Sequence, residues 1–312
     1  MSTTDLLPLT SDLSTIKNIL VIKPKVLGDV MMATPVVKNL HQRLPHARIS
    51  FLVEKPYAEI FHGNPHVHEV VEFDREQSAG WKFWRMLRSK RFDLVMDLWC
   101  TSRTVAWTLA TGAPWRVGFN HRGRRWAYNI RVHSNETYAA DINLDCVRVL
   151  GLEAKDHKPE IFLSTDETRW AEETLRRLGR TKDAKLIMLA PGAGWSSKRW
   201  PTESFGRLGN MLAERSGGQI VLLCGPQDDE AVHDVINRMR VRSLVIRGTT
   251  LRQTAALIQR MDLYIGNDSG PIQFAVALDV PTITLLGPTN SDCIAPFGRN
   301  AELRHHVACS PC

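Results

Sequence analysis

Asn18-Ile-Leu-Val-Ile-Lys23, running on through Pro24-Lys-Val-Leu-Gly-Asp29 into residues 30–44, is the stretch that decides the fold. A short apolar run that ends at turn residues has the pattern of a buried parallel strand. Gly28 permits a tight turn after it. Met31, Thr34, Val37, Leu40 and Leu44 then recur at helical spacing, with Asp29 in N-cap position and Pro45 just past the end, which predicts one helix over residues 30–44. The same alternation returns with strands predicted at 49–53, 69–73 and 94–98 and helical patterns between them. Strand, helix, strand in this rhythm specifies an α/β domain with a doubly wound parallel sheet.

A second cycle follows. Ser164, with Glu167 three residues on, makes a capping box that opens a charged helix to about residue 178, and Gly179 is placed to end it. The polar segment 180–185 leads into Leu186-Ile-Met-Leu-Ala190 and the glycine-rich Pro191-Gly-Ala-Gly194. Further strands are predicted at 220–224, 244–246, 263–266 and 282–286, with helices starting near Thr202, Asp228, Leu251 and Ser269. The predicted organisation is an N-terminal Rossmann-like domain at 1–164, a linker helix at 165–182 and a C-terminal Rossmann-like domain at 183–312. At roughly 100 to 200 residues per domain, 312 residues fit two. Ligands of such sheets bind beyond the carboxyl ends of the strands, so the loops at 24–29, 191–198, 225–227 and 266–270 are expected to line one cleft.

Composition narrows the function. Apolar residues at 43% and charged residues at 23%, with no low-complexity block, exclude a disordered, collagen-like or coiled-coil chain. No apolar run approaches the roughly 18 to 20 residues of a membrane span, and the N-terminus lacks a basic patch followed by an apolar stretch; a soluble, cytoplasmic protein is expected. Six cysteines are few for this length, and Cys100, Cys146, Cys224 and Cys293 sit singly, which suits buried thiols in a reducing compartment. Cys309-Ser-Pro-Cys312 is the one pair with metal or disulfide spacing. A zinc site there needs two further ligands, for which His305 and His306 are candidates, and two thiols on a terminal loop are the preferred alternative.

Forty Lys and Arg against 33 Asp and Glu give a formal charge of +7, which favours an anionic partner. The charge is concentrated: from Leu98 to Asn135 there is no acidic residue, yet Arg103, Arg116, Arg122, Arg124, Arg125 and Arg131 occur among Trp115, Phe119, Trp126 and Tyr128. Arginine matches phosphate and carboxylate bidentately. A solvated basic face and an RNA-binding surface are the alternatives, and no RNA-binding motif supports the second.

Three loops carry groups suited to catalysis or phosphate binding. Asp29 can cap its helix, act as a general base, or do both. Pro191-Gly-Ala-Gly194 with Ser196-Ser-Lys198 offers amides, hydroxyls and an ammonium to a phosphate, although it matches neither a Walker loop nor G-x-G-x-x-G and also reads as an ordinary βα turn. In Gly266-Asn-Asp-Ser-Gly-Pro271, Asp268 and Ser269 can cap a helix or bind a ribose or phosphate. Their coincidence at matching strand ends suits group transfer from a nucleotide.

Ile22-Lys-Pro-Lys-Val-Leu-Gly-Asp-Val-Met-Met-Ala-Thr-Pro35, Phe92-Asp-Leu-Val-Met-Asp-Leu98, Arg116-Val-Gly-Phe119, Pro191-Gly-Ala-Gly194 with Lys198-Arg-Trp-Pro201, and Asn267-Asp-Ser-Gly-Pro271 together resemble glycosyltransferase family 9, the ADP-heptose:lipopolysaccharide heptosyltransferases. The resemblance runs in order over about residues 18 to 312. It implies a GT-B fold, with two Rossmann-like doubly wound parallel-sheet domains facing across a cleft. It further implies an inverting transfer that needs no cofactor and no metal, in keeping with a sequence that has no D-x-D.

Position by position, the resemblance makes Asp29 the general base and Lys198 the group that meets the diphosphate, with the N–H groups at Asp268, Ser269 and Gly270. Gly192, Gly194, Ser196, Gln227 and Gln273 complete the expected donor site, and Arg116, Arg122, Arg124 and Arg125 the acceptor site. Two positions depart from the pattern. Gln273 stands where many relatives have His, and Tyr138 replaces a His often seen ahead of the segment like Asn143-Leu144. Relatives also continue past a Cys-x-Pro-Cys-like stretch into a terminal helix, whereas this chain ends at Cys312, so that brace is expected to be missing.

The expected function is heptose transfer from ADP-heptose to an anionic, lipid-linked lipopolysaccharide inner-core acceptor, with peripheral contact at the inner membrane and no nucleic-acid partner. Alternatives are the same fold with another nucleotide sugar or a protein acceptor, and a degenerate, non-catalytic nucleotide-sugar-binding protein.

Overall fold

A computed structural model of the chain describes residues 13–74, 80–120, 123–290 and 298–305. Arg122, Cys293, His306, Cys309 and Cys312 lie outside the described residues. The chain divides into two compact units, Met1–Pro159 and Glu160–Cys312.

The first unit holds strands β1 (Asn18–Ile22), β2 (Arg48–Glu54), β3 (Glu69–Phe73), β4 (Leu94–Asp97), β5 (Trp115–Phe119) and β6 (Ile130–Val132), and helices α1 (Leu27–Met31), α2 (Thr34–Arg43), α3 (Lys55–Ala58), α4 (Trp81–Ser89), α5 (Ser102–Thr111) and α6 (Ala139–Arg148). Its strands form one six-stranded sheet in the order β3-β2-β1-β4-β5-β6, with every pairing parallel. The second unit holds α7 (Thr165–Leu178), β7 (Leu186–Ala190), α8 (Thr202–Ser216), β8 (Gln219–Leu223), α9 (Asp229–Arg238), β9 (Ser243–Ile246), α10 (Leu251–Ile258), β10 (Leu263–Asn267), α11 (Ile272–Ala277), β11 (Thr282–Leu286) and β12 (Asn300–Arg304). Its sheet, β12-β11-β10-β7-β8-β9, repeats the same winding and is also parallel throughout. Strand order reverses between β1 and β4 in the first unit and between β7 and β10 in the second. These are the points where a doubly wound sheet opens a crevice.

The central strands are apolar on both faces because helices cover both. Ile19, Leu20, Val21 and Ile22 of β1 are wholly buried, as are Leu186, Met188 and Leu189 of β7. One face of the first sheet packs Leu20, Ile22, Leu52 and Val95 against Phe73, Leu87 and Trp107. Each unit ties the start of its first strand to the residue before its fourth by the same device. The Asp93 carboxylate accepts from the amides of Lys17 and Asn18, both at 2.8 Å, and the Asp262 carboxylate accepts from the Leu186 amide at 2.8 Å.

The predicted helix over 30–44 is two helices. Met31, Thr34, Val37, Leu40 and Leu44 are all buried as the spacing requires, but α1 ends at Met31 and α2 starts at Thr34 with Pro35 in its first turn. Proline has no N–H to continue the ladder, so the helix restarts there. Asp29 is therefore not an N-cap: Val26 holds that position and Asp29 lies in the first turn of α1. Strands β5 and β6 and helix α5 went unpredicted, because the arginines of residues 98–135 mask their apolar pattern, and β12 went unpredicted because its sequence Asn-Ala-Glu-Leu-Arg has no apolar run.

The capping box at Ser164 and the stop at Gly179, with φ +95°, form as predicted. The helix they delimit packs within the second unit. Arg252, itself buried, reaches Glu167 with a two-pronged ion pair whose Nη2–Oε2 arm is 2.7 Å, and donates to the Phe162 carbonyl at 2.6 Å. That guanidinium holds the Glu167 carboxyl down at about 2. A carboxyl depressed on folding contributes stability above its unfolded pKa that is lost as pH falls through the folded value. Glu167→Gln keeps the capping box but loses the ion pair, and is expected to destabilise the protein by about 1–3 kcal/mol at pH 7. In urea unfolding the gap from wild type should shrink as pH falls from the 4.5 reference towards about 2.

Candidate active site

At the first crossover, the carboxyl ends of β1 and β4 carry charge into an apolar core. Lys23, directly after β1, is 6% exposed, and its ammonium donates to the Leu98 carbonyl at 3.1 Å and to Asn143 Oδ1 at 3.4 Å. It lies 5.1 Å from the centre of the Trp99 ring and 3.8 Å from Asp29 Oδ1. Burial lowers the Lys23 pKa, and the Asp29 carboxylate partly offsets that loss. Asp29 is the exposed member, with 38% of its side chain open to solvent. The turn thus presents a carboxylate outward from a cation fixed beneath it.

Asp97, at the end of β4, is fully buried and built into the wall. Its Oδ1 accepts from the amides of Trp99 (3.0 Å) and Cys100 (2.9 Å), and its Oδ2 from the Tyr128 hydroxyl (2.8 Å). Burial raises its pKa while these donors oppose the rise. Burial also pushes the Cys100 thiol up to about 12, and Cys100, Cys146 and Cys224 are all buried free thiols, as predicted. Gly118 explains the Arg116-Val-Gly-Phe119 motif: a Cβ there would lie 2.5 Å from the Tyr128 ring. Gly118→Ala is expected to cost about 1–3 kcal/mol through overpacking. A lower urea midpoint at unchanged m-value would register it.

At the second crossover, Lys198 and Asp268 meet between the loops after β7 and β10, with Nζ 2.5 Å from Oδ2. Thr289, after β11, donates to the same carboxylate oxygen at 2.9 Å. Asn267, wholly buried, locks the two loops together by accepting from the Trp200 amide (2.9 Å) and donating to the Pro191 carbonyl (2.7 Å). The Asp268 amide, nominated from sequence as a phosphate donor, instead bonds the Leu285 carbonyl at 3.3 Å, because the β10–β11 pairing extends through Asn267. The amides of Ser269 and Gly270 are hydrogen-bonded to no acceptor among the described residues.

Gly192 is required by close approach, since a Cβ there would lie 2.0 Å from an Asp228 carboxylate oxygen; at Gly194 a Cβ would meet nothing. Ser196 and Gln227 are exposed on the loops after β7 and β8. Gln273 is 4% exposed, and its Oε1 is hydrogen-bonded to nothing among the described residues.

The nominated arginines differ among themselves. Arg116 lies on β5 with its guanidinium donating to the Ala127 carbonyl (2.9 Å) and the Ala113 carbonyl (2.8 Å), so it braces backbone. Arg124 reaches Ser102 Oγ at 3.2 Å, and Arg125 is exposed beside it. Lys23, Asp97, Asn143 and Thr289 were not assigned roles from sequence. A charged residue closing an apolar strand run, as Lys23 and Asp97 do, was the available signal, because buried charge is rare unless it is partnered.

Two doubly wound parallel units, each with charged groups gathered at its strand-order crossover, are the architecture of the GT-B glycosyltransferases. The sequence model of glycosyltransferase family 9 (heptosyltransferase) matches residues 80–312, and the chain belongs to that family. Among curated relatives, the lipopolysaccharide core heptosyltransferase OpsX of Haemophilus influenzae is 23% identical over 293 residues, covering 90% of this chain and 82% of the relative. A crystal structure of a family 9 glycosyltransferase from Veillonella parvula superposes with a TM-score of 0.86 at 25% identity, over 97% of this chain and 88% of that one. The Escherichia coli heptosyltransferase WaaC, solved with ADP-2-deoxy-2-fluoro heptose, shares the fold with a TM-score of 0.71 at 21% identity, over 92% and 93% of the two chains.

Proposed function

We propose that the protein transfers heptose from ADP-L-glycero-D-manno-heptose to a hydroxyl of an anionic lipopolysaccharide inner-core acceptor, at the cytoplasmic face of the inner membrane, with inversion and without a metal ion. The observation that carries this reading is the pair of crossover sites, Asp29 set over buried Lys23 in one unit and Lys198 held against Asp268 in the other. The acceptor oxygen attacks the anomeric carbon from the face opposite ADP while Asp29 takes its proton. The bond to the diphosphate oxygen breaks, and the charge left there is met by the Lys198 ammonium with the amides of Ser269 and Gly270. Lys198 also neutralises Asp268, which would otherwise repel a diphosphate. In this reading Arg124 and Arg125 bind acceptor phosphates or acidic sugars; that Arg116 is occupied by backbone carbonyls favours them over it.

The test is a transfer assay with a panel of nucleotide sugars and a heptose-deficient core acceptor, with product linkage read by mass spectrometry and anomeric configuration by NMR. ADP-heptose should be the preferred donor, the product should be inverted, and a chelator should leave the rate unchanged. Preference for a uridine donor rejects the donor assignment. Loss of rate on chelation rejects metal independence.

A further inference from the structure

Helix α4 carries its aromatic side chains on two opposite faces. Phe83, Met86 and Leu87 turn inward onto the sheet's hydrophobic core. Trp81, Trp84, Arg85 and Arg88, spaced as one stripe along the helix, turn outward, with Trp81 66% and Trp84 44% exposed. Large outward aromatics at the spacing of a helix stripe are costly to leave in water, and the described residues leave much of both rings open to solvent. The helix is also acid-free: residues 77–92 contain Lys82, Arg85, Arg88, Lys90 and Arg91 and no Asp or Glu. Lys90 is paired with Glu69, whereas Lys82 and Arg85 form no ion pair among the described residues.

We infer that the outward face of α4 is the surface by which this protein docks onto an anionic phospholipid membrane. Tryptophan is at home at the boundary between headgroups and acyl chains, and interspersed Lys and Arg are attracted to acidic headgroups. The placement suits the chemistry: in a parallel sheet the chain leaves β3 at its carboxyl end, so α4 begins, with Trp81, on the end of the first unit where Asp29 stands. Docking there brings the general base to the membrane side, where a lipid-linked acceptor is presented. That functional sense rests on the proposed acceptor, while the docking itself rests on α4 alone.

The test uses the full chain and vesicles of phosphatidylethanolamine with or without phosphatidylglycerol. Wild type should co-sediment with the phosphatidylglycerol-containing vesicles and not with those lacking phosphatidylglycerol, with binding falling steeply as salt rises. Trp81→Ala/Trp84→Ala and Lys82→Glu/Arg85→Glu should each lower the partition coefficient about 10- to 30-fold while leaving the thermal melt unchanged. Brominated lipids should quench wild-type fluorescence more than that of the tryptophan variant. Equal binding by wild type and both variants overturns the inference, as does a concentration-dependent dimer, formed without vesicles, that the tryptophan variant abolishes. Transfer to a delipidated soluble acceptor separates the two readings. Vesicle binding without transfer to any acceptor leaves docking intact and rejects the proposed reaction, whereas transfer with no vesicle binding does the reverse.

Discussion

Replacing Asp29 by Asn or Ala should abolish transfer, with kcat falling about 10²- to 10⁴-fold, while ADP-sugar affinity changes little. The reason lies in which unit holds which group. Asp29 stands in the first turn of α1, in the first unit, while the groups proposed to bind the nucleotide belong to the second. Asn is the cleaner substitution because it preserves shape and a hydrogen-bonding oxygen towards Lys23 but cannot take a proton. Lys23 should stay in place, since Leu98 and Asn143 hold its ammonium independently of Asp29. Donor affinity by calorimetry and transfer by coupled ADP release make the measurement. Normal turnover in the Asn variant would remove Asp29 from the mechanism.

Lys198→Ala should lower kcat about 10²- to 10³-fold, the usual loss when a donor aimed at developing charge is removed. Two effects combine in this variant, and they are separable. The ammonium would no longer stabilise the departing diphosphate, and Asp268, with only 9% of its side chain exposed, would lose its cation. Thr289 still donates to that carboxylate, which limits the structural loss. Adding Asp268→Asn removes the stranded charge. If Lys198 serves the diphosphate, the double variant should regain its melting temperature without regaining transfer. Recovery of transfer in the double variant would reduce Lys198 to a structural partner of Asp268.

Much of the candidate site was legible because the loops proposed to bind phosphate and to carry the base are local. Pro191-Gly-Ala-Gly194, Lys198 and Asp268 sit next to strands whose apolar runs announce themselves, and the doubly wound pattern places their loops at one end of a sheet. The arginine stretch was less legible. One electrostatic block in sequence, it is spread in space over α5, β5, the turn before β6 and β6 itself, so that Arg116 faces carbonyls while Arg125 faces solvent. Sequence proximity carries no information about which guanidinium has a partner.

From sequence alone came the two α/β halves, the strand positions near the crossovers, the capped helix from Ser164 and the identity of Asp29, Lys198 and Asp268, all readable because periodicity and capping act over a few residues. Only the tertiary structure decided which groups meet across the sheets. Lys23 joins Leu98 and Asn143 over separations of 75 and 120 residues, Lys198 joins Asp268 over 70, and Tyr128 joins Asp97 over 31. It also decided that the Asp268 amide belongs to the sheet and that Gly118 makes room for a ring. Such contacts are set by the order of strands in space, and buried polar groups find their partners only once that order has formed.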